Sequence, residues 1–519
     1  MSPPPRPARL ILRGLSHTYP RASQPRPQEA SGEVRSGEWV CVAGPNGCGK
    51  STLLRLAAGL LPPASGEVWI EPPGPGPGTS PLRPGERAFR RALGYLSQLG
   101  SEQVLGSTVG DELAAALEWH GVPRPEIQAR VAEALRGLGG EEWRGRTASA
   151  LSLGERRRVA LTAVTLPRPL FLLADEPLGD LDPIARAEWL GRLAELKAAG
   201  LGVLTAATSA AEASRADRVW LLESGRRGLR EVAPAEVLDP AVARAAGLRP
   251  APPQDLDFSA LGRAAACRPP DSPEARAALV GARLERGGVA LWEALDLGVP
   301  ARGLTALFGL NGAGKSSLGL VLAGLHRPAA GQVRGALGWE RVAGARRCHS
   351  ALAFQCPEDQ LGLGSVREEL TPAAGGRARS TPEELLARVG LAPGEFLGRP
   401  PQELSAGERR RVALAALAAL EPELLVLDEP LSGLDGPGVA WAAGWIAAEA
   451  RERAVWVLSS DLDVPELPVE CWLGVRRGAA LEARLDGPRL LDSTNYLPWA
   501  YGSWLTARRD RPSPAGEHP

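Results

Sequence analysis

"GPNGCGKST" occupies residues 44–52 and "GLNGAGKSS" residues 309–317. Each holds one of only three lysines, Lys50, Lys197 and Lys315, in a chain whose 60 basic residues are otherwise all arginine. A compact ammonium on a flexible stem is kept in two loops, which implies a chemical demand that a planar guanidinium does not meet. Each stretch follows an apolar segment, "WVCVAG" or "LTALFG", and runs into "STLLRLAAGL" or "SSLGLVLAGL", which repeat with helical period. Strand, glycine-rich loop and helix are the context a phosphate loop requires. Glycines allow backbone N–H groups to turn toward an anion at a helix N-terminus, where the dipole favours it. Gly44, Pro45, Asn46, Gly47, Cys48, Gly49, Lys50, Ser51 and Thr52 are expected to form one cradle for ATP. The other would be Gly309, Leu310, Asn311, Gly312, Ala313, Gly314, Lys315, Ser316 and Ser317. Lys50 and Lys315 would reach the β and γ phosphates, and Ser51 and Ser316 would ligate Mg²⁺.

The loops stand 265 residues apart, and further matches follow in the same order. Gln98 in "LGYLSQ" matches Gln355 in "LAFQ", an offset of 257. "LSLGERRRVAL" at 151 matches "LSAGERRRVAL" at 404, and Asp175 in "LADEPLGDLD" matches Asp428 in "LDEPLSGLD", both offset by 253. Such order is the mark of a tandem duplication. The shrinking offset places extra residues in the first copy, with the turn-rich run "EPPGPGPGTSPLRPGE" at 71–86 as the first insertion. The expected domains are 1–235 and 276–485, joined by an Ala/Pro/Arg-rich linker at 236–275 and followed by a tail at 486–519 whose end is expected to be disordered. The aromatics of "NYLPWAYGSWL" in that tail are expected to pack on the second domain.

Composition narrows the class. A length of 519 residues suits two to four domains, and each half is long enough to bury a core. The formal charge of +0 supplies no long-range basic field, which argues against general nucleic-acid binding. Six cysteines without a C-x-x-C pair read as reduced thiols in a cytosolic protein. The N-terminus has no signal-peptide apolar core, and no uncharged apolar run reaches the roughly 18 residues that span a bilayer. Any membrane role is therefore expected to act through a partner.

"PLFLLADEP" and "PELLVLDEP" each read as a buried strand ending in two carboxylates. Asp175 and Asp428 would meet Mg²⁺ through its coordination shell, while Glu176 and Glu429 would polarise the attacking water.

With "LSLGE" and "LSAGE" shortly before those strands, the arrangement resembles the ATP-binding cassette (ABC) ATPases, whose defining motif is L-S-G-G-Q. The resemblance implies an α/β fold of two tandem P-loop, RecA-like domains, each with an antiparallel β subdomain and a helical subdomain. It implies a head-to-tail pairing of the two domains within one chain, Lys50 facing Ser405 and Gly407, and Lys315 facing Ser152 and Gly154. It also places Gln98 and Gln355 at the Mg²⁺ and among the catalytic groups. After each glutamine, "QLGSEQVLGSTVGDEL" and "QCPEDQLGLGSVREEL" share Gln, Gln, Val and Glu at equal spacing. This pattern resembles the energy-coupling factor and cobalt-type importer ATPases. It implies a peripheral ATPase on the cytoplasmic face of the membrane that works with an integral coupling subunit and a separate substrate-binding membrane protein. The expected function is ATP-driven uptake of a vitamin or metal ion; the alternatives are a fused sugar-importer ATPase and a soluble ABC-F-type ribosome-binding ATPase.

Three departures from the family pattern carry expectations of their own. Tyr19 fits the aromatic that stacks on adenine, and the second copy has no counterpart, because Trp292 lies too close to its loop. Leu153 and Ala406 replace the first glycine of L-S-G-G-Q, and Glu155 and Glu408 replace its glutamine; the crowding by Leu153 is expected to weaken the site of Lys315. No histidine stands after the strand beyond the carboxylate pair, where Ala207 and Ser460 fall near the switch position, so hydrolysis is expected to be slow. The five histidines, at 17, 120, 326, 349 and 518, are expected to be surface or locally bonded groups.

Overall fold

The computed structural model describes residues 6–19, 24–74, 80–98, 104–179, 181–251, 275–286, 289–335, 337–342, 345–355, 360–371, 380–460, 467 and 471–475. The tail at 486–519, most of the linker and Gln103 lie outside them. The chain divides into two compact units, 1–181 with 185–252 and 433–437, and 182–184 with 253–432 and 438–519.

In the first unit a six-stranded sheet runs in the order Leu93–Leu96, Phe171–Asp175, Gly202–Ala207, Trp39–Ala43, Arg218–Leu221, Arg230–Val232. All neighbours are parallel except the last pair. Trp39–Ala43, Phe171–Asp175 and Gly202–Ala207 are buried throughout, the continuous apolar run that a sheet covered on both faces demands. Leu54, Phe89 and Leu204 pack on one side of this sheet, and Cys41, Leu172 and Trp189 on the other. A three-stranded antiparallel sheet, Ala30–Arg35, Arg9–Ser16 and Ser65–Glu71, adds Leu10, Leu12 and Ile70 to the first of these cores. The helices Val109–Trp119, Arg124–Leu138 and Leu153–Thr165 close a separate core around Leu113, Val131, Leu135 and Val159.

The second unit repeats the plan on five parallel strands, Ser350–Ala353, Leu424–Asp428, Ala454–Ser459, Gly303–Gly309 and Cys471–Val475. Its antiparallel sheet is Val289–Pro300, Ala275–Arg286 and Ala330–Arg334. Among the described residues its helical part comprises Val366–Glu369, Pro382–Arg388 and Pro393–Phe396 ahead of Ala406–Ala419. Trp292 and Trp456 are fully buried in its core, each side chain contributing roughly 1.5–3 kcal/mol by transfer from water.

Residues 236–251, which fall in the stretch expected to join the repeats, form the short helices Glu236–Leu238 and Pro240–Ala245. Val237, Ala243 and Leu248 pack in the core of the first unit. Of the run 71–86, residues 75–79 lie outside the described set; Leu82 pairs back onto Ile70 at the edge of the antiparallel sheet.

Candidate functional site

In both units the motifs gather at the carboxyl ends of the parallel strands, where open α/β sheets bind ligands. The loop after Trp39–Ala43 opens the helix Lys50–Ala57, and the loop after Gly303–Gly309 opens Lys315–Leu322. Gly49 caps the first helix at φ 110° and Gly314 the second at φ 97°, left-handed values that only glycine adopts freely. A Cβ at Gly49 would stand 2.9 Å from the backbone of Arg26 and Pro27, and one at Gly314 would stand 2.2 Å from Trp292 Nε1. Lys50 is buried and donates to the carbonyls of Gly44 (3.0 Å) and Pro45 (2.9 Å). Lys315 repeats this on Gly309 (2.7 Å) and Leu310 (3.2 Å). Each ammonium faces the glutamate of its own unit, Lys50 Nζ at 3.5 Å from Glu176 and Lys315 Nζ at 3.8 Å from Glu429. Burial pulls the Lys315 ammonium below its ordinary pKa, against the pull of Glu429 and Asp428.

Asp175 and Asp428 are buried, and each leaves Oδ1 without a hydrogen-bond partner among the described residues. Burial raises both carboxyl pKa values, opposed by hydrogen bonds from Ser51 to Asp175 and from Ser316 to Asp428. An unmatched buried carboxylate oxygen is costly without a cation or donor, so each Ser–Asp pair fits a divalent metal. Among the described residues no cluster of three or more His, Cys, Asp or Glu could enclose a metal. One carboxylate and one hydroxyl in each unit suit Mg²⁺, which keeps waters and substrate phosphates in its shell.

Glu176 and Glu429 sit at φ 46° and 48°, a strained conformation that costs a non-glycine residue about 1–3 kcal/mol. Their backbone N–H groups are held by Ala206 O (3.2 Å) and Leu458 O (2.9 Å). The side chains are held differently. Gln98 Nε2 donates to Glu176 Oε2 at 3.2 Å, whereas Ser459 Oγ donates to Glu429 Oε2 at 3.2 Å. Burial pushes the Glu429 carboxyl up to about 7, with Lys315 and hydrogen bonds from Ser460 pulling against it. The backbone carbonyl of Gln355 accepts from Arg410 Nη2 at 3.4 Å.

Sheet register corrects one residue of the switch position. Asp175 pairs with Ala206 and Asp428 with Leu458, so Ala207 is the counterpart of Ser459, and Thr208 is the counterpart of Ser460. Thr208 and Ser460 are both buried. The sequence alone had no fixed point from which to count across this strand, and the ladder supplies it.

Ser152 and Ser405 are the N-caps of Leu153–Thr165 and Ala406–Ala419, each in a capping box with the glutamate three residues on. Glu155 Oε2 accepts from Ser152 N, and Glu408 Oε2 from Ser405 N, both at 2.8 Å. Glutamate in place of the family glutamine thus closes the box. Gly154 and Gly407 lie in the first turn of these helices, while the side chain of Leu153 lies outside the described residues. Tyr19 is 42% exposed, with its hydroxyl 3.3 Å from Thr52 Oγ1 at the end of the first loop. Trp292 is buried against Gly314 and belongs to the core.

Within the first unit Asp435 Oδ2 accepts from Asn46 N at 2.8 Å, and within the second Asp182 Oδ2 accepts from Asn311 N at 3.0 Å. The pattern after each glutamine also acquires a physical reason. Glu112 accepts from Leu105 N (2.8 Å) and Gly106 N (2.7 Å), and Glu369 accepts from Leu363 N (2.6 Å). Gln360 spans its loop from Phe354 N (3.0 Å) to Leu352 O (2.8 Å), and Val109 and Val366 are fully buried. These residues shape the turn that presents Leu105 and Leu363 to solvent.

Comparison with known proteins adds the following. The family model described as ABC transporter matches residues 27–179 and 292–432. A protein of Streptomyces avermitilis, provisionally named an ABC transporter ATP-binding protein, is 35% identical over 96% of this chain and 98% of its own. The energy-coupling factor transporter ATP-binding protein EcfA1 of Lacticaseibacillus paracasei is 38% identical over 42% of this chain and 76% of its own. YkoD of Bacillus subtilis, provisionally named an HMP/thiamine import ATP-binding protein, is 28% identical over 88% of this chain and 87% of its own. A structure of ribosome-bound archaeal Pelota and ABCE1 matches 89% of this chain and 76% of that one with TM-score 0.60 at 21% identity, a likeness of fold.

Proposed function

This chain belongs to the ABC transporter family, and from that premise we propose that it is the fused ATPase pair of an energy-coupling-factor-type importer, driving uptake of a vitamin or metal ion through a separate membrane subunit. Its two ABC domains are P-loop ATPases. The reading rests on one observation above others: each unit brings a buried lysine, a serine, an aspartate with an unmatched oxygen and a strained glutamate to one end of one sheet.

In this reading the loop amides of 44–52 and 309–317 bind the phosphates of ATP, and Lys50 and Lys315 swing from the loop carbonyls onto the β and γ oxygens. Ser51 with Asp175, and Ser316 with Asp428, hold Mg²⁺, assisted by Gln98 and Gln355; the ion offsets phosphate charge when bound. Glu176 and Glu429 accept the proton of the attacking water. Ser152 and Gly154, and Ser405 and Gly407, present helix N-termini to the γ phosphate bound at the opposite loop. We assign 1–235 and 276–485 as the pairing domains.

The importer class draws on YkoD and EcfA1 and on the shared Gln, Val and Glu positions. No helix among the described residues is long and apolar enough to cross a membrane, so the reading needs an integral partner. Exposed Leu105 in the first unit and Leu363 in the second, beside the glutamine loops, and Trp119 at the end of Val109–Trp119 offer it apolar contact. The test is gentle solubilisation and affinity purification from the native membrane. Recovery of a small integral coupling protein together with a substrate-binding membrane protein supports the reading; recovery with ribosomes favours the soluble alternative. Recovery with a sugar-permease complex favours the third.

A further inference from the structure

Arg157 lies on the helix that begins at Ser152, and it is 6% exposed. Its Nη1 donates to Pro177 O at 3.1 Å and also to Gly179 O. Arg410, at the same place on the helix that begins at Ser405, donates through Nη1 to Pro430 O at 3.3 Å and Ser432 O at 2.5 Å. The sequence separations, 20 and 22 residues, are the same in both copies. Two diverged repeats thus hold one arrangement.

The accepting carbonyls belong to the turn that carries the glutamate. Gly179 N donates to Glu176 O and Ser432 N to Glu429 O, both at 3.2 Å, closing the turn directly after the left-handed residue. Such a conformation persists only where its surroundings over-determine it. A guanidinium suits the task because one Nη1 carries two N–H donors, one for each of two carbonyls two residues apart, and its charge does not titrate away. A buried charge also needs these partners, so guanidinium and turn hold each other. From Ser152 to Arg157 a helix rises about 7.5 Å, a distance a single rigid element transmits without loss.

We propose that Arg157 and Arg410 are positioning residues for hydrolysis: each ties the helix that begins at Ser152 or Ser405 to the strained turn of Glu176 or Glu429, so the carboxylate is aimed only when that helix is seated. The proposal rests on the assignment of Glu176 and Glu429 as the groups that activate water. In the second unit Arg410 also holds Gln355 O, which brings the glutamine loop into the same brace.

The experiment uses the full chain with Arg157→Gln and Arg410→Gln, singly and together, and the corresponding Arg→Lys variants. Steady-state ATP turnover with kcat and KM, equilibrium binding of Mg-AMP-PNP and thermal melting are measured. The double Gln variant is expected to lose about tenfold or more in kcat with AMP-PNP affinity within about threefold of the parent. Lysine, which keeps the charge and loses the planar group that orients both donors, restores only part. In a Glu176→Gln background, where Glu429 alone turns over, Arg410→Gln is expected to lower kcat about tenfold with KM for ATP nearly unchanged. Unchanged kcat overturns the proposal, as does a parallel fall of kcat, affinity and melting temperature. The Glu176→Gln/Glu429→Gln variant separates the premises. Full turnover there sinks the carboxylate assignment, whereas lost turnover there with wild-type-like arginine variants sinks the brace alone.

Discussion

Gln98 holds Glu176 by a side-chain amide at 3.2 Å, and Ser459 holds Glu429 by a hydroxyl at the same 3.2 Å, so two copies of one motif aim their carboxylates through different groups. Gln98→Ala, measured in a Glu429→Gln background, is expected to lower kcat about tenfold. Ser459→Ala, in a Glu176→Gln background, should do the same, with Ser459→Thr restoring most of the rate. Equal loss from Gln98→Ala in both backgrounds would show that the amide acts somewhere other than on Glu176.

The Glu429 carboxyl, pushed up to about 7 by burial, fixes the sign of a pH effect. Water activation needs the carboxylate, so turnover in a Glu176→Gln background should climb from pH 6 to pH 8 with its midpoint near 7. Stability runs the other way. A carboxyl whose pKa is higher folded than unfolded contributes stability that is present below the unfolded value, near 4.5, and lost as pH rises through about 7. Glu429→Gln should therefore stabilise the second unit at pH 8 relative to pH 5, by on the order of 2 kcal/mol. Chemical denaturation at the two pH values measures this.

The repeat, the two phosphate loops and the carboxylate strands were legible because each depends on local spacing: a glycine where φ is positive, an apolar run before a charge. The α/β assignment followed from the same stretches. Thr208 was not legible, because its place is fixed by its neighbour strand and "AATSA" offers no landmark. The role of Glu155 and Glu408 in closing a capping box was hidden by reading them only as departures from a family motif. Arg157 and Arg410 were invisible among the chain's many arginines, since their partners are backbone carbonyls twenty residues on.

Tyr19 is exposed with its hydroxyl beside Thr52, and the proposed ATP site at the first loop would have it stack on the base. Stacking contributes about 1–3 kcal/mol per base. In a Lys315→Ala background, which leaves the first loop intact, Tyr19→Ala should weaken ATP binding about tenfold and Tyr19→Phe should leave it nearly unchanged. Calorimetric titration with ATP reads both. The reciprocal Lys50→Ala background should show weaker ATP binding and no response to Tyr19→Ala.

Lys50 and Lys315 make the same two carbonyl contacts, yet the copies differ in what surrounds them: Tyr19 lies beside the end of one loop, and buried Trp292 stands in the wall of the other. With Leu153 in the motif expected to face Lys315, the second site should be the slower. Lys50→Ala should then remove most of the turnover of the intact complex, while Lys315→Ala leaves a measurable share. Equal and complete loss from both substitutions would mean that neither site works alone.

Gly407 separates folding from chemistry. A Cβ built there meets nothing within 4 Å, and the residue lies in the first turn of a regular helix. Alanine at such a position favours the helix by roughly 0.5–1 kcal/mol, so Gly407→Ala should raise the melting temperature of the second unit slightly. Were Gly407 only a helix residue, turnover would be untouched. If the N-terminus of this helix approaches a γ phosphate, the added methyl crowds it, and kcat should fall about tenfold while the fold gains stability. Gly314→Ala is the opposite control: at φ 97° and 2.2 Å from Trp292 Nε1, the methyl should destabilise the second unit and abolish ATP binding at its own loop together. Thermal melting and ATPase assays on the two variants, side by side, distinguish a residue kept for its backbone from one kept for what approaches it.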